Sequence, residues 1–481
     1  MLIRHIASYF IARGIPGIIN FIALAIYTRI LSSDEFGRYS TVMACIGVFH
    51  VLIFQWLILV CARFLPKYPN SPKKILEPVL AIFLLLTGII ISLSLIGMTV
   101  GKFRQWHMLI PIAVVLTIVQ AWHELNLQQA TTLLDPRRYG ALSGIKSILA
   151  LTSGALLAYY GFAENAPLIG LIIGSATSWM LVGRSAWAGV LPRRPTSPQW
   201  TEFGSYGLPL AITFSLIWIT SSSDRLMITY FLGEAQTGLY SVGYDLAQNS
   251  LGLLLIIINT AATPLVIKVF ESRGVQAASL QMRQNGELIF AMAFSGAAGL
   301  IAIAPGMIGI FAGEKFREGA LPVFIWIALS AAVVGIKSYY FDIVFHLTKK
   351  TKWLLITNGI AAIFNVGINY YIIPIYGIVG AAWASGISYL IATVGSAVVG
   401  MRYFPMPKVI SLVGIGLVPA TATYFSASLC MSINIPMIYR MSISILMGGF
   451  VVMLIFFLLN IANSRYLLMG ALEKKNGNGG F

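Results

Sequence analysis

Apolar residues in this chain run in blocks of about 20, each closed by a short knot of charge, proline or glycine. A block of roughly 20 apolar residues spans the hydrocarbon of a bilayer as one helix. The blocks at 6–30, 39–60, 76–100, 108–130, 141–160, 167–190, 206–230, 239–262, 287–311, 322–346, 353–373, 378–401, 408–430 and 441–461 predict about fourteen crossings. The links are short. Breakers fill them, as in Pro66 to Pro78, Asp135 to Arg138 and Pro192 to Pro198. The first block lacks the short apolar core and small-residue cleavage site of a signal peptide, so it reads as a retained helix. The glycine-rich stretch from Asn463 to Phe481 reads as a disordered tail. The expected fold is all-α and polytopic.

Composition agrees. Of 481 residues, 58% are hydrophobic and 10% charged, against about 25% charged in soluble domains. The mean hydropathy is +0.84. The net charge of +16 does not point to nucleic acid, because the cations stand scattered between apolar blocks. There they set orientation: loops rich in Lys and Arg stay in the cytoplasm. With the N-terminus inside, the inner links hold 20 of the 32 cations, from Arg4 through Arg63, Arg137, Arg193, Lys268, Lys349 and Arg402 to Lys475. The outer links hold 6: Arg38, Lys102, Arg104, Lys315, Arg317 and Arg440. An alternation this uneven predicts an even number of spans and both termini inside. Cys45, Cys61 and Cys430 are far apart and form no disulfide or metal pattern. No cofactor is expected.

A repeat divides the chain. Gly14 and Pro16 open the first span, and Gly207 and Pro209 open the seventh. Leu31, Gly37, Tyr39 and Ser40 close the first; Leu232, Gly238, Tyr240 and Ser241 close the seventh in the same register. Six crossings separate the copies, so both start on one side. That predicts two six-helix bundles in parallel repeat, at 1–190 and 199–402, then helices thirteen and fourteen over 403–461 and a cytoplasmic tail at 462–481.

Six cations fall inside the predicted spans. Arg29 and Arg184 lie near span ends, where long side chains reach water. Arg13, Lys146, Arg225 and Lys337 lie deeper. A charge in lipid is costly, so it faces a bundle interior or a water-filled cavity. Arg13, Lys146 and Lys337 share a depth toward the inside and are candidates to line one cationic cavity for an anionic group such as phosphate, pyrophosphate or carboxylate. Alternatively each is stapled to a carboxylate or carbonyl. Arg13, Asn20 and Tyr27 share a helical face. Four carboxylates are candidates for ion coupling or gating: Glu124, with Gln120 and Gln128 on its face beside His123; Asp224; Asp245, with Ser241 and Asn249; and Asp342, with Ser338 and His346 at i, i+4 spacing. Asp224 and Arg225 with Asp245 would form an outer gate, or else a fixed ion pair. The pairs Tyr159–Tyr160, Tyr339–Tyr340 and Tyr370–Tyr371 suit sugar stacking or an interfacial belt.

The chain has no nucleotide-binding loop of the Walker type, no H-E-x-x-H and no G-x-S-x-G. It reads as a transporter rather than an enzyme. It resembles the oligosaccharide flippases of the polysaccharide transporter family, the O-antigen or Wzx-type translocases. Their superfamily also holds multidrug exporters and the lipid II flippase. The resemblance rests on Tyr9 to Gly17, Tyr27 to Leu31, Gly37 to Tyr39, Ser223 to Leu226, Leu232 to Tyr240, Tyr376 to Ala382, and Ser388 with Tyr389. It implies two lobes plus two peripheral helices, and transfer of an undecaprenyl-pyrophosphate-linked oligosaccharide from the cytoplasmic to the periplasmic leaflet of the bacterial inner membrane. Arg13, Lys146, Arg225 and Lys337 then become substrate-binding cations. A polysaccharide polymerase and a chain-length regulator are the protein partners implied. The rival is a cation-coupled drug or metabolite antiporter of the same fold.

Overall fold

In hydrocarbon a backbone N–H or C=O has no water to turn to, so a spanning segment must satisfy its own hydrogen bonds. Helices do so, and the computed structural model is built of them. It describes residues 2–99 and 109–465, with the side chains of 2–13, 15, 99 and 261 outside that description. Its α-helices are α1 (Leu2–Ile30), α2 (Ser33–Ile53), α3 (Gln55–Phe64), α4 (Lys73–Thr99), α5 (Leu109–Thr132), α6 (Pro136–Tyr159), α7 (Asn165–Ser178), α8 (Ser197–Leu232), α9 (Glu234–Ala302), α10 (Ala304–Phe311), α11 (Arg317–Ile336), α12 (Ile343–Leu347), α13 (Lys352–Tyr403), α14 (Val409–Met431) and α15 (Met437–Leu459).

Among the described residues, eleven helical stretches are long and apolar enough to cross a membrane. Two of them, α9 and α13, each join two helices at a glycine in the left-handed region, Gly274 (φ 78°) and Gly377 (φ 63°). The apolar stretch Pro16–Ile30 of α1 adds one more. Counted so, the described residues carry the expected fourteen crossings. The link expected at 263–286 is itself helical apart from Gly274. Its Lys, Glu, Gln and Arg residues are good helix formers, so the charge that ends the membrane segment does not end the helix. The predicted disordered tail lies outside the described residues from 466 onward.

Local chemistry sets the helix starts. Ser32 and Glu35 form a capping box before α2: the Ser32 N–H donates to Glu35 Oε2 at 2.8 Å, and the Glu35 N–H to Ser32 Oγ at 3.3 Å. Thr196 and Gln199 repeat the device before α8. The Asp135 side chain accepts from the Arg138 N–H at 3.0 Å and caps α6.

The chain divides into two compact units. The first holds 1–241 with Gly313–Phe316, and the second holds 242–312 with 317–481. In the first, α1 packs on α6, α6 on α7, and α2 on α5 and α8. Its aromatic centre runs through Phe54, Phe83, Trp122 and Trp187, with ring centroids 5.1, 4.9 and 4.5 Å apart. Gly313 is held there by its N–H, which donates to Thr28 Oγ1 at 2.9 Å. In the second unit, α11 packs on α13 and α14 on α15, around Phe290, Tyr340 and Phe341.

The two copies of the repeat meet within the first unit. A Cβ on Gly37 would stand 3.1 Å from the Gly238 nitrogen and overlap the Glu234 carbonyl. A Cβ on Gly238 would stand 3.2 Å from the Gly37 nitrogen and overlap the Ser33 carbonyl. Each glycine thus lies against the carbonyl four residues before the other, a reciprocal contact that only small residues permit. Around it, Thr41 and Thr229 share a hydroxyl hydrogen bond of 2.8 Å, as do Thr229 and Thr237. Arg38 reaches Glu164 and Glu234, both at 3.1 Å. A methyl group in such a packed contact costs roughly 1–3 kcal/mol. Gly37→Ala and Gly238→Ala are each expected to lower the thermal unfolding midpoint of the detergent-purified protein. An unchanged midpoint in both would show that the two helices separate there without cost.

Candidate functional site

Among the described residues, the predicted site residues gather most closely in two polar clusters, one in each unit. In the second unit, α11 passes through one π-helical turn, Lys337–Phe341, before α12. The Asp342 N–H there donates to the Lys337 carbonyl at 2.9 Å. This i, i+5 bond swings Lys337 and Asp342 onto one face. Lys337 Nζ donates to Asp342 Oδ2 at 2.7 Å and to Asn358 Oδ1 at 2.8 Å. Ser396 Oγ donates to Asp342 Oδ1 at 2.7 Å. Lys337 is 2% exposed and Asp342 7%. One buried ion pair therefore ties the π turn to both halves of α13. The expected face of Ser338, Asp342 and His346 is not a shared environment: Ser338 and His346 are exposed while Asp342 is buried. The widened turn breaks the regular four-residue spacing.

In the first unit the cluster centres on Glu124 of α5, whose side chain is 36% exposed. His50 Nε2 of α2 stands 3.5 Å from Glu124 Oε2. Gln120 Nε2 donates to Glu124 Oε1 at 3.4 Å. Lys146 of α6 lies close enough to interact electrostatically with Glu124, His50 and His123. The His123 ring is 1% exposed, and its Nδ1 meets Ser178 Oγ at 3.1 Å. The Nε2 atoms of His50 and His123 are buried with no hydrogen-bond partner among the described residues. Gly174 brings α7 so near α6 that a Cβ there would overlap the Lys146 carbonyl, which fixes the backbone that carries the lysine. Gln128 Nε2 donates to Thr132 Oγ1 at 3.0 Å.

The other predicted residues are dispersed. Arg13 lies outside the residues whose side chains are described. Tyr27 is buried, its hydroxyl donating to the Ala150 carbonyl at 3.4 Å, whereas Asn20 is exposed. Asp224 is fully buried in the first unit and accepts from the Tyr240 hydroxyl at 2.5 Å. Arg225 is half-buried beside it on α8. Asp245 is half-buried on α9 in the second unit. The ring pairs Tyr159–Tyr160 and Tyr370–Tyr371 are exposed, while Tyr340 is buried.

Sequence reasoning missed His50, Ser178, Asn358 and Ser396. A signal existed for His50, since a histidine in the middle of an apolar span needs a polar partner. Asn358 and Ser396 carry no such mark, because one amide or hydroxyl in a span is common.

Comparison with known proteins agrees with this architecture. A family model described as polysaccharide biosynthesis protein matches residues 2–270, more than half of the chain. No curated protein sequence matches. The fold is similar to that of the lipid II flippase MurJ in an inward closed conformation, with a TM-score of 0.73 at 17% identity over 96% of this chain and 99% of that one. It is also similar to an inward-facing multidrug resistance MATE transporter of the MOP superfamily, with a TM-score of 0.61 at 13% identity over 82% of this chain and 98% of that one. A third likeness is a MOP superfamily transporter from Pyrococcus furiosus Vc1 noted for the reverse polarity of its binding pocket, with a TM-score of 0.56 at 12% identity over 83% and 95%. With its multi-pass helical fold and the family match over most of its first unit, this chain belongs to the polysaccharide biosynthesis protein family.

Proposed function

We propose that the protein flips an undecaprenyl-pyrophosphate-linked oligosaccharide, an O-antigen or exopolysaccharide repeat, from the cytoplasmic to the periplasmic leaflet by alternating access. It sits in the bacterial inner membrane with both termini in the cytoplasm, and hands its cargo to a polysaccharide polymerase and chain-length regulator. The observation that carries this reading is Lys146, a cation inside a membrane-length helix that makes no side-chain hydrogen bond or ion pair among the described residues. A pyrophosphate offers such a lysine a stronger, multiply charged partner. An exporter of cationic drugs needs an excess of acid at its site, and the cluster in the first unit sets a single acid, Glu124, beside a helix that carries a lysine. The rival antiporter reading draws its support from Glu124, a carboxylate with over a third of its side chain exposed.

The four cations divide by role. Lys146 and Arg13 are substrate contacts, and Arg225 guards the outer path beside Asp224. Lys337 is held by Asp342 and Asn358 and works as a staple, where Asp342 serves as its counter-ion rather than as a coupling site. Asp245 remains a gating candidate.

Two outcomes follow. A deletion strain without a redundant flippase accumulates the lipid-linked oligosaccharide on the cytoplasmic face and loses the surface polysaccharide; Arg13→Ala and Lys146→Ala fail to restore it while inserting at normal levels. A deletion strain that still assembles all its surface polysaccharides would overturn the reading. For the staple, removing one partner of a buried pair costs roughly 3–5 kcal/mol. Asp342→Ala is expected to lose folded protein in fluorescence-detected size exclusion, and Lys337→Met with Asp342→Leu is expected to recover much of it.

A further inference from the structure

We infer that a cavity at the membrane edge of the second unit, between α9 and the start of α14, holds the phosphodiester headgroup of an anionic phospholipid.

The cavity has a volume of about 500 Å³. One wall is the helical 263–286 segment of α9, and the other is the 404–408 link with the first turn of α14. Ser279 ties the walls together, its hydroxyl donating to the Pro405 carbonyl at 2.7 Å. Arg283 and Lys408 line the space, and no acid does. Both cations belong to links that the charge count assigns to the cytoplasm. Orientation requires cations on that side. It does not require that two of them, from separate links, share one cavity.

Their donors suit a phosphate. Glu287 accepts from the Arg283 Nε alone, at 3.1 Å, and is itself held by the Ala462 N–H at 3.0 Å. The two terminal nitrogens of the guanidinium make no bond among the described residues, and the side chain is 58% exposed. The Lys408 ammonium has no hydrogen bond or ion pair there either. Gln276 and Ser411 add an amide and a hydroxyl to the lining. A guanidinium fork beside a point charge matches the two unesterified oxygens of a phosphodiester.

The rim favours a lipid over a free anion. Leu280 of the lining is 61% exposed, and Ile410, two residues after Lys408, is 88% exposed. Apolar side chains this open beside two cations suit a ligand with a charged head and hydrocarbon chains. A free phosphate makes no use of either. Basic pockets between membrane helices at the cytoplasmic surface are a known form of headgroup site.

Short-chain phosphatidylglycerol, titrated into the full chain in a nonionic detergent beside phosphatidylcholine of the same chain length, tests the assignment. The wild type is expected to bind phosphatidylglycerol more tightly. Lys408→Gln and Arg283→Gln should each weaken that binding about fivefold. Ser411→Trp, which fills the cavity without changing its charge, should abolish the preference. Lys268→Gln and Arg273→Gln remove cations of the same segment outside the cavity and should leave it unchanged. Equal binding of the two lipids overturns the proposal, as does a wild-type preference in Ser411→Trp. A loss at Lys268 or Arg273 as large as that at Lys408 would mark diffuse attraction and overturn it too. Displacement by inorganic phosphate at matching concentration would make the occupant a free anion. Much tighter binding of undecaprenyl phosphate would give the site to the transport substrate. Either result removes the resident lipid. Lys408 makes no bond that its replacement could break, so Lys408→Gln is expected to keep the wild-type thermal midpoint and separates binding from folding.

Discussion

A charged side chain inside a bilayer must bring its own counter-charge, and the arrangement of this protein's interior follows from how that need is met. The membrane offers neither water nor free ions at that depth, so an amine or carboxylate is either held by a partner or left near a polar cavity. The second unit takes the first course with Lys337, Asp342, Asn358 and Ser396. The bonds are short, the residues are buried, and three helical segments are tied at one point. In the first unit the charges are held more loosely. Its lysine, carboxylate and two histidines are spread over α2, α5 and α6, with longer contacts and a carboxylate that stays open.

The same economy governs the backbone. Helices in lipid gain little from apolar burial against one another, because the surrounding chains are as apolar as leucine. Close approach and interhelical hydrogen bonds have to supply the specificity. The reciprocal fit of Gly37 and Gly238 does so, with the Thr41, Thr229 and Thr237 hydroxyls in line beside it. The repeat in the sequence thus has a mechanical reading. Its glycines recur in one register because each has to clear the other's carbonyl, and its Leu, Tyr and Ser positions recur around them.

Fourteen crossings were legible because their signal is one of length and apolarity, which needs no knowledge of neighbours. The positions of the breaks were less so. Nothing in 263–286 distinguishes a charged loop from a charged helix except Gly274, whose left-handed backbone is visible only in three dimensions. The candidate site divides the same way. That Lys146, Lys337, Glu124 and Asp342 need polar surroundings could be read from charge in an apolar run. Who meets whom could not. The spacing of Ser338, Asp342 and His346 predicts a common face, and the π turn at Lys337–Phe341 replaces it with a five-residue pairing that no composition rule announces. His50 was missed because its partner Glu124 lies 74 residues away on another helix.

Similarity of fold leaves the chemistry open, and here that is instructive. A lipid II flippase, multidrug exporters and a transporter of reversed pocket polarity share this architecture at 17% identity or less. The scaffold therefore sets where side chains stand but not which charge they present. That choice is made by a handful of residues, each of which could be changed without altering the helices, provided its charge is compensated. The Lys337–Asp342 pair shows such compensation in its tightest form, a short buried bond that fixes the charge within the helices.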